Sequence, residues 1–280
     1  MQLETRHCAL CGPTAKKRVK FPPRFSQSEL TADIFSDPTL PENELSRIYS
    51  ETRLNYDALE SQIYDSYVPI LDRAVGKLVQ KRTFVEVGGG SGFMLRYGVE
   101  RGFAVQTEIE PSRAAEARFC APSLASRFLR RMFSRSLFSE SSVDLVCFFQ
   151  MLDHIYDPKS FLEDVFHVQA PGGVSIAIVH DTNALPTKML RERSPIYGLW
   201  HTYLFNQQNI RCLFEAVGFT CVEVFPIPND YALWYWLHAL PLPDLIKRGT
   251  ESALAKLRLS NRRLRLYAGN LAVIAQKSNE

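Results

Sequence analysis

The chain has 280 residues, 46% of them hydrophobic and 22% charged, and a formal net charge of +3. That composition excludes a disordered or fibrous chain, and the length allows roughly one to two domains at about 150 residues each. No apolar run approaches the about 18 residues of a membrane span, and Met1 to Lys20 is polar and basic without a signal-peptide core, so a soluble cytoplasmic protein is expected.

Up to Pro41 the prolines at 13, 22, 23, 38 and 41 interrupt any period, so residues 1–44 are expected to be an irregular N-terminal segment. It holds the pair Cys8 and Cys11, whereas Cys120, Cys147, Cys212 and Cys221 are scattered singly, the pattern of reduced thiols. From Leu45, apolar residues such as Leu59, Ile63, Tyr67, Ile70, Leu71, Ala74 and Leu78 recur at three- and four-residue steps. Residues 45–82 therefore form a helical lead-in, which Pro69 is expected to kink or divide.

Beyond Arg82 short apolar runs alternate with helix-like stretches: Thr83 to Val87, Ala104 to Ile109, Val143 to Phe149 and Val174 to His180. This is the pattern of βαβ units and a parallel sheet, so the fold class is α/β. Thr220 to Phe225 and Asn270 to Gln276 add two strands, the last following a Gly269-Asn270 turn signal. The near-neutral total hides two basic stretches. Residues 111–135 carry six Arg against one Glu, and residues 241–266 carry seven Lys or Arg against two acids. Any basic surface is local.

The most informative segment is Phe84-Val85-Glu86-Val87-Gly88-Gly89-Gly90-Ser91-Gly92-Phe93-Met94-Leu95, a strand entering a glycine-dense turn and then a helix. Such a turn lets backbone amides approach a ligand closely at a helix N-terminus, although tight turns also occur without ligands. The dinucleotide pattern G-x-G-x-x-G is absent, because the sixth position from Gly88 is Phe93. The spacing is E-x-G-x-G-x-G, and an acid at Glu86 would repel a pyrophosphate but suits a cation.

This segment resembles the first motif of class I S-adenosylmethionine-dependent methyltransferases, in which the loop wraps the methionine end of the cofactor. Glu108, in Gln106-Thr107-Glu108-Ile109-Glu110-Pro111-Ser112, stands where that family places the carboxylate that accepts both ribose hydroxyls, with Glu110 as the competing choice. Val143 to Phe149 followed by Gln150-Met151-Leu152-Asp153-His154-Ile155-Tyr156-Asp157-Pro158 is similar to the fourth-strand motif of the small-molecule branch, with Asp153 replacing the common Glu. Ala170-Pro171-Gly172-Gly173-Val174 matches the turn before the fifth strand.

The resemblance implies a Rossmann-like, doubly wound, mostly parallel seven-stranded sheet with an antiparallel last strand across residues 83–280. It implies S-adenosyl-L-methionine as cofactor, held by Glu86, Gly88, Gly89, Gly90, Gly92, Glu108 and Ile109 and flanked by Gln150 and Met151. The acid that commonly binds adenine is replaced by Arg130-Arg131-Met132-Phe133-Ser134, so Met132 and Phe133 are expected to supply apolar contact instead.

His180 follows the fifth strand beside Asp181, and His201 lies in the aromatic segment that ends an expected substrate lid at about 181–210. Either imidazole can take a proton from a methyl acceptor; the alternative is that both merely satisfy backbone groups. Tyr203 and Arg193 are candidates for positioning the acceptor, and His154 is read as structural or cofactor-side. Cys8 and Cys11 are similar to the first half of a zinc knuckle in relatives of sugar C-methyltransferases, but no second pair follows, so no metal is expected.

Residues at about 227–266 are expected to be a basic helical insertion, whose segment 241–266 forms either a solvated helix face or a surface for an anionic membrane or a polyanion. The expected function is methyl transfer to a small molecule, such as a nucleotide-sugar, glycan or secondary-metabolite intermediate. Two other readings are a cofactor-binding protein without turnover and a nicotinamide oxidoreductase, the latter disfavoured by the glycine spacing. Phe148-Phe149-Gln150-Met151 stands where amino-group nucleic-acid methylases carry Asn-Pro-Pro-Tyr, so no nucleic-acid partner is expected.

Overall fold

The structure is a computed structural model that describes residues 8, 16–18, 25–28, 34–36, 39–51, 59–198, 201–240 and 242–279. In chain order, β1 (Lys16–Arg18), β2 (Phe25–Ser28) and β3 (Ile34–Ser36) precede α1 (Glu42–Glu51) and α2 (Glu60–Val75). Then come β4 (Thr83–Val87), α3 (Leu95–Glu100), β5 (Val105–Ile109), α4 (Arg113–Glu116), β6 (Ser126–Leu129), β7 (Val143–Phe149), α5 (Pro158–Val168) and β8 (Gln169–His180). The chain ends with α6 (Leu185–Leu190), β9 (Tyr203–Leu204), α7 (Gln207–Val217), β10 (Thr220–Ala232), α8 (Leu233–Ala239), α9 (Asp244–Lys256) and β11 (Arg263–Gln276).

Seven strands form the main sheet in the order β10-β11-β8-β7-β4-β5-β6. Its pairs are parallel from β8 to β6, while β11 runs antiparallel to both β8 and β10. This is the expected doubly wound architecture. The central strand β7 buries six of its seven residues, as a strand covered on both faces must. Its alternate residues feed two cores: Val146 and Phe148 pack with α5 and α7 on one face, and Leu145 and Cys147 with α2 on the other. The covering helices start on side-chain caps: Asp157 accepts from Lys159 N and Ser160 N, and Asn206 and Asn209 form a capping box.

Several expectations are corrected. The N-terminal segment is not wholly irregular: β1, β2 and β3 form a small antiparallel sheet completed by β9, whose partner residues are far apart in sequence. Helix α2 runs through Pro69 without dividing, because Tyr67, Ile70, Leu71 and Ala74 are held against the sheet on either side of it. The expected helical insertion is helical only over α8 and α9. Residues 227–232 and 263–266 extend β10 and β11 as a long hairpin. The prolines that conceal this extension, Pro226 and Pro228, sit on the edge strand, next to a register shift between Ile227 and Asn229. Gly269 likewise does not end a loop; it lies inside β11, beside Ala184. Among the described residues no helix is long and apolar enough to cross a membrane.

Candidate active site

The sequence-predicted residues gather at the carboxyl ends of β4, β5, β6, β7 and β8, the edge where open α/β sheets bind ligands. The chain runs from β4 to β5 and β6 on one side, and then crosses to β7 on the other, so the strand order reverses between β4 and β7. Gly88 and Met151 meet at that point. A Cβ on Gly88 would lie 2.7 Å from Met151 Cγ, and its φ of +75° is in the left-handed region. Gly88 N donates to Ile109 O at 2.9 Å, which ties the loop to the end of β5. Gly90 has φ +66° and nothing within 4 Å of where a Cβ would stand, so its backbone borders open space. Gly92 packs on the ring of Phe119.

Two buried carboxyl groups lie beneath this loop. Glu108 Oε1 accepts from Gly89 N at 2.8 Å, and a Cβ on Gly89 would stand 2.5 Å from Glu86 Oε1 and 2.6 Å from Glu108 Oε2. Burial, followed by the nearby Glu110 and Glu60, raises Glu86 to about 7 despite its hydrogen bond with Glu108. Burial, then the charge of Glu86, raises Glu108 well above the ordinary range. Oε2 of each residue is buried without a hydrogen-bond partner among the described residues. Burial thus shifts both carboxyls towards the protonated form, and their free oxygens have unmet capacity for a cation and for hydroxyl donors. Glu110, the competing choice, is already engaged by Ser112 N at 2.9 Å.

The remaining cofactor candidates divide. Gln150 sits at φ +50° and donates its N–H to Ile178 O, so it turns the chain sharply at the end of β7. Met132 is exposed after β6, and Phe133 packs against Phe161 with ring centroids 5.4 Å apart.

Across the same edge, three histidines surround one acid. Asp153 is 1% exposed and its Oδ2 is hydrogen-bonded to His180 Nδ1. His201 Nε2 lies 3.8 Å from the same oxygen, and the His201 ring is 5.1 Å from His180 and 4.5 Å from His154. Burial alone would raise the Asp153 carboxyl, but the charges of His180, His154 and His201 and the His180 hydrogen bond outweigh it and hold it below the ordinary range. Burial tends to lower His180, whereas the charge and hydrogen bond of Asp153 raise it, with a net upward shift. The His180 side chain keeps 26% exposure, so it remains accessible from the site.

Thr202 ties the segment before β9 to this cluster: its N–H donates to Asp153 O at 2.8 Å and its hydroxyl to Ile155 O at 2.5 Å. Tyr49 OH donates to His154 O at 3.4 Å. Tyr203, expected to position the acceptor, is instead buried in the core between the rings of Phe35 and Phe205, each with centroids 5.9 Å away. Arg193 lies in a short turn after α6.

Asp153, the hub of the cluster, stands in the sequence as the acid that replaces the common Glu of the fourth-strand motif, without a role of its own; its signal is a carboxylate beside a histidine in Leu152-Asp153-His154. Ligand atoms of Asp153, His154 and His201 all lie within 4.8 Å of one another, a grouping that could hold a metal ion. With His180 also hydrogen-bonded to Asp153, the same cluster can handle a proton. Cys8 is buried in the core, and Cys11 lies outside the described residues. A surface depression lined by Arg82, Asp144, Gly172 and Asn279 lies at the opposite edge of the sheet. Asp144 is committed there to Arg82 and to the amides of Arg82 and Thr83.

Solved structures of known proteins share the fold. A chain of the complex between the Haloferax volcanii Trm112 methyltransferase activator and its methyltransferase is 19% identical, with TM-score 0.53, over 80% of this chain and 96% of that one. Haemonchus contortus phosphoethanolamine N-methyltransferase 2, solved with phosphomonomethylethanolamine and S-adenosylhomocysteine, is 15% identical with TM-score 0.54; the match covers 88% of this chain and 62% of that one. An S-adenosylmethionine-dependent methyltransferase from Mesorhizobium loti is 14% identical with TM-score 0.52, over 76% of this chain and all of that one. At these identities the likeness is one of fold. No curated protein matches the sequence. The family model described as a methyltransferase domain matches residues 59–224, which include the glycine loop, both buried glutamates and the histidine cluster, and the chain belongs to that family.

Proposed function

We propose that the protein transfers a methyl group from S-adenosyl-L-methionine to a small-molecule acceptor. The observation that carries this reading is the placement, on one sheet edge, of a buried acid pair under a glycine turn and a carboxylate-held histidine opposite it. The residues fit the cofactor. Glu108 has an unused buried oxygen for a diol hydroxyl, the pair has capacity for a cation, and Gly90 borders open space. When bound, the cofactor supplies an electrophilic methyl on a sulfonium.

The chain itself must align the acceptor and remove a proton. With Nδ1 engaged by Asp153, His180 carries its proton on that nitrogen and presents the Nε2 lone pair as acceptor. Asp153 then stabilises the imidazolium that forms. The resemblance of His180-Asp181 and the lid segment to the sugar and secondary-metabolite branch favours a nucleotide-sugar or glycan-pathway acceptor. The Haemonchus relative, solved with a small phosphorylated amine, also supports a small acceptor.

Calorimetry with S-adenosylmethionine, its demethylated product and NAD tests the cofactor assignment. The sulfonium ligand and its product are expected to bind, Glu108→Ala is expected to abolish that binding, and NAD binding in their place would overturn the reading. In a screen of acceptors, His180→Ala is expected to keep cofactor affinity and lose turnover by about 100-fold or more. A chelator is expected to leave wild-type turnover unchanged. The Haloferax relative is solved with an activator protein, so turnover by the isolated chain also shows whether this one needs a partner.

A further inference from the structure

The arm formed by α8, α9 and the outer end of the β10/β11 hairpin is unlike the rest of the surface. It exposes Leu245, Ile246, Leu257, Leu266 and Tyr267, with Leu245 81% exposed, and no residue of α9 is buried. Isolated exposed leucines are ordinary, but a concentration of them on one projection is not. The same stretch, residues 241–266, carries seven Lys or Arg against two acids. Its internal pairing is limited. Arg263 bonds Asp65 and Asp230, and Lys247 bonds His238 O. Glu251, one of the two acids, is taken by His238. Among the described residues, Arg248, Lys256, Arg258, Arg262 and Arg265 form no ion pair.

The arm also has a defined position. Asn270 of β11 pairs with His180 at the carboxyl end of β8, and the hairpin continues outward from there through the pairs Asn229 with Leu266 and Ala232 with Arg263. The arm therefore projects beyond the sheet edge that carries the histidine cluster.

We propose that this arm docks the protein on an anionic membrane surface, with the acceptor side of the active site turned towards the lipid. Exposed aliphatic side chains beside unpaired cations are the complement of a lipid interface, where acyl chains take the former and headgroup phosphates the latter. A second copy of the chain fits poorly, because a two-fold contact would set this cationic surface against itself. A nucleic acid would use the arginines but leave the leucines and Ile246 in water.

Co-sedimentation with vesicles tests the proposal on the full chain. Phosphatidylcholine vesicles containing phosphatidylglycerol are expected to retain the protein at about 0.1 M salt and to release most of it at about 0.5 M, while pure phosphatidylcholine retains little. Leu245→Glu with Ile246→Glu, and separately Arg262→Glu with Arg265→Glu, are each expected to lower the bound fraction by about fivefold or more. Calorimetry of cofactor binding and the thermal midpoint check that both variants remain folded. Lack of retention on anionic vesicles overturns the proposal, as does retention that neither variant changes. Retention on a heparin column that survives Leu245→Glu with Ile246→Glu, without vesicle binding, would assign the arm to a soluble polyanion. Concentration-dependent self-association lost in the same variant, without vesicle binding, would assign it to a second copy.

Discussion

Glu86 and Glu108 illustrate how two ordinary residues acquire unusual chemistry from burial. Each is an expected carboxylate in the sequence, yet paired beneath the glycine turn they hold a proton near neutral pH. Because Glu86 is raised in the folded state to about 7, the folded chain binds more protons than the unfolded chain above the ordinary carboxylate range. Its stabilising contribution is therefore present at low pH and is lost as pH rises towards and through that value. Glu86→Gln removes this loss. The urea midpoint of the variant relative to wild type is expected to rise between pH 5 and pH 8 by the equivalent of about 2.5 kcal/mol. A constant difference across that range would show that the pair is ionised or solvated in the folded protein. Asp153 shows the opposite outcome, a buried acid kept ionised by three histidines that lie up to 48 residues away in sequence. The motif indicates the acid and one neighbouring histidine, but that His180 and His201 would converge on it depends on how β8 and the segment before β9 pack.

At the scale of elements, the glycine turn separates conformational need from ligand space. Gly88 and Gly90 both have positive φ, but only Gly88 has an atom in the way. Gly88→Ala combines left-handed strain with a clash against Met151, and is expected to cost about 2 to 4 kcal/mol of stability in urea titration. Gly90→Ala carries the strain alone, about 1 to 2 kcal/mol, yet is expected to lose cofactor affinity as fully as Gly88→Ala, because its methyl group enters the open space. Equal stability losses with retained binding in Gly90→Ala would place the cofactor elsewhere. The strands most legible from sequence are β7 and the second half of β8, where burial on both faces leaves a nearly continuous apolar run. Strand β6, Ser126–Leu129, is short and carries Arg127, so it has no such signal and forms because β5 offers it an edge. The outer halves of β10 and β11 carry no such signal either: β10 is interrupted there by Pro226 and Pro228, and β11 is exposed from Arg263 to Ala268.

For the whole molecule, stability is distributed unevenly. The main sheet carries a core on each face, whereas the small sheet of β1, β2, β3 and β9 has the minor cluster of Phe25, Ile196 and Leu204, although Phe35 and Tyr203 tie it to the larger core. Native-state hydrogen exchange is expected to show β7 and β8 amides exchanging only through global unfolding, and those of β3 and β9 through a smaller opening. Equal protection would mean that the small sheet and lid belong to the same cooperative unit as the main sheet.

The sequence alone determined the α/β class, the order of the main strands, the glycine turn and the acids at the ends of β4 and β5. These are local signals, written in periodicity, in turn residues and in motifs a few residues long. Tertiary structure decided which carboxyl groups are buried side by side, which histidines meet Asp153, that Tyr203 packs in the core, and that the basic segment is an exposed arm beside the site. Each of these depends on residues distant in sequence being brought within a few ångströms, and on how much water that contact excludes. Neither quantity is encoded in any single stretch of chain.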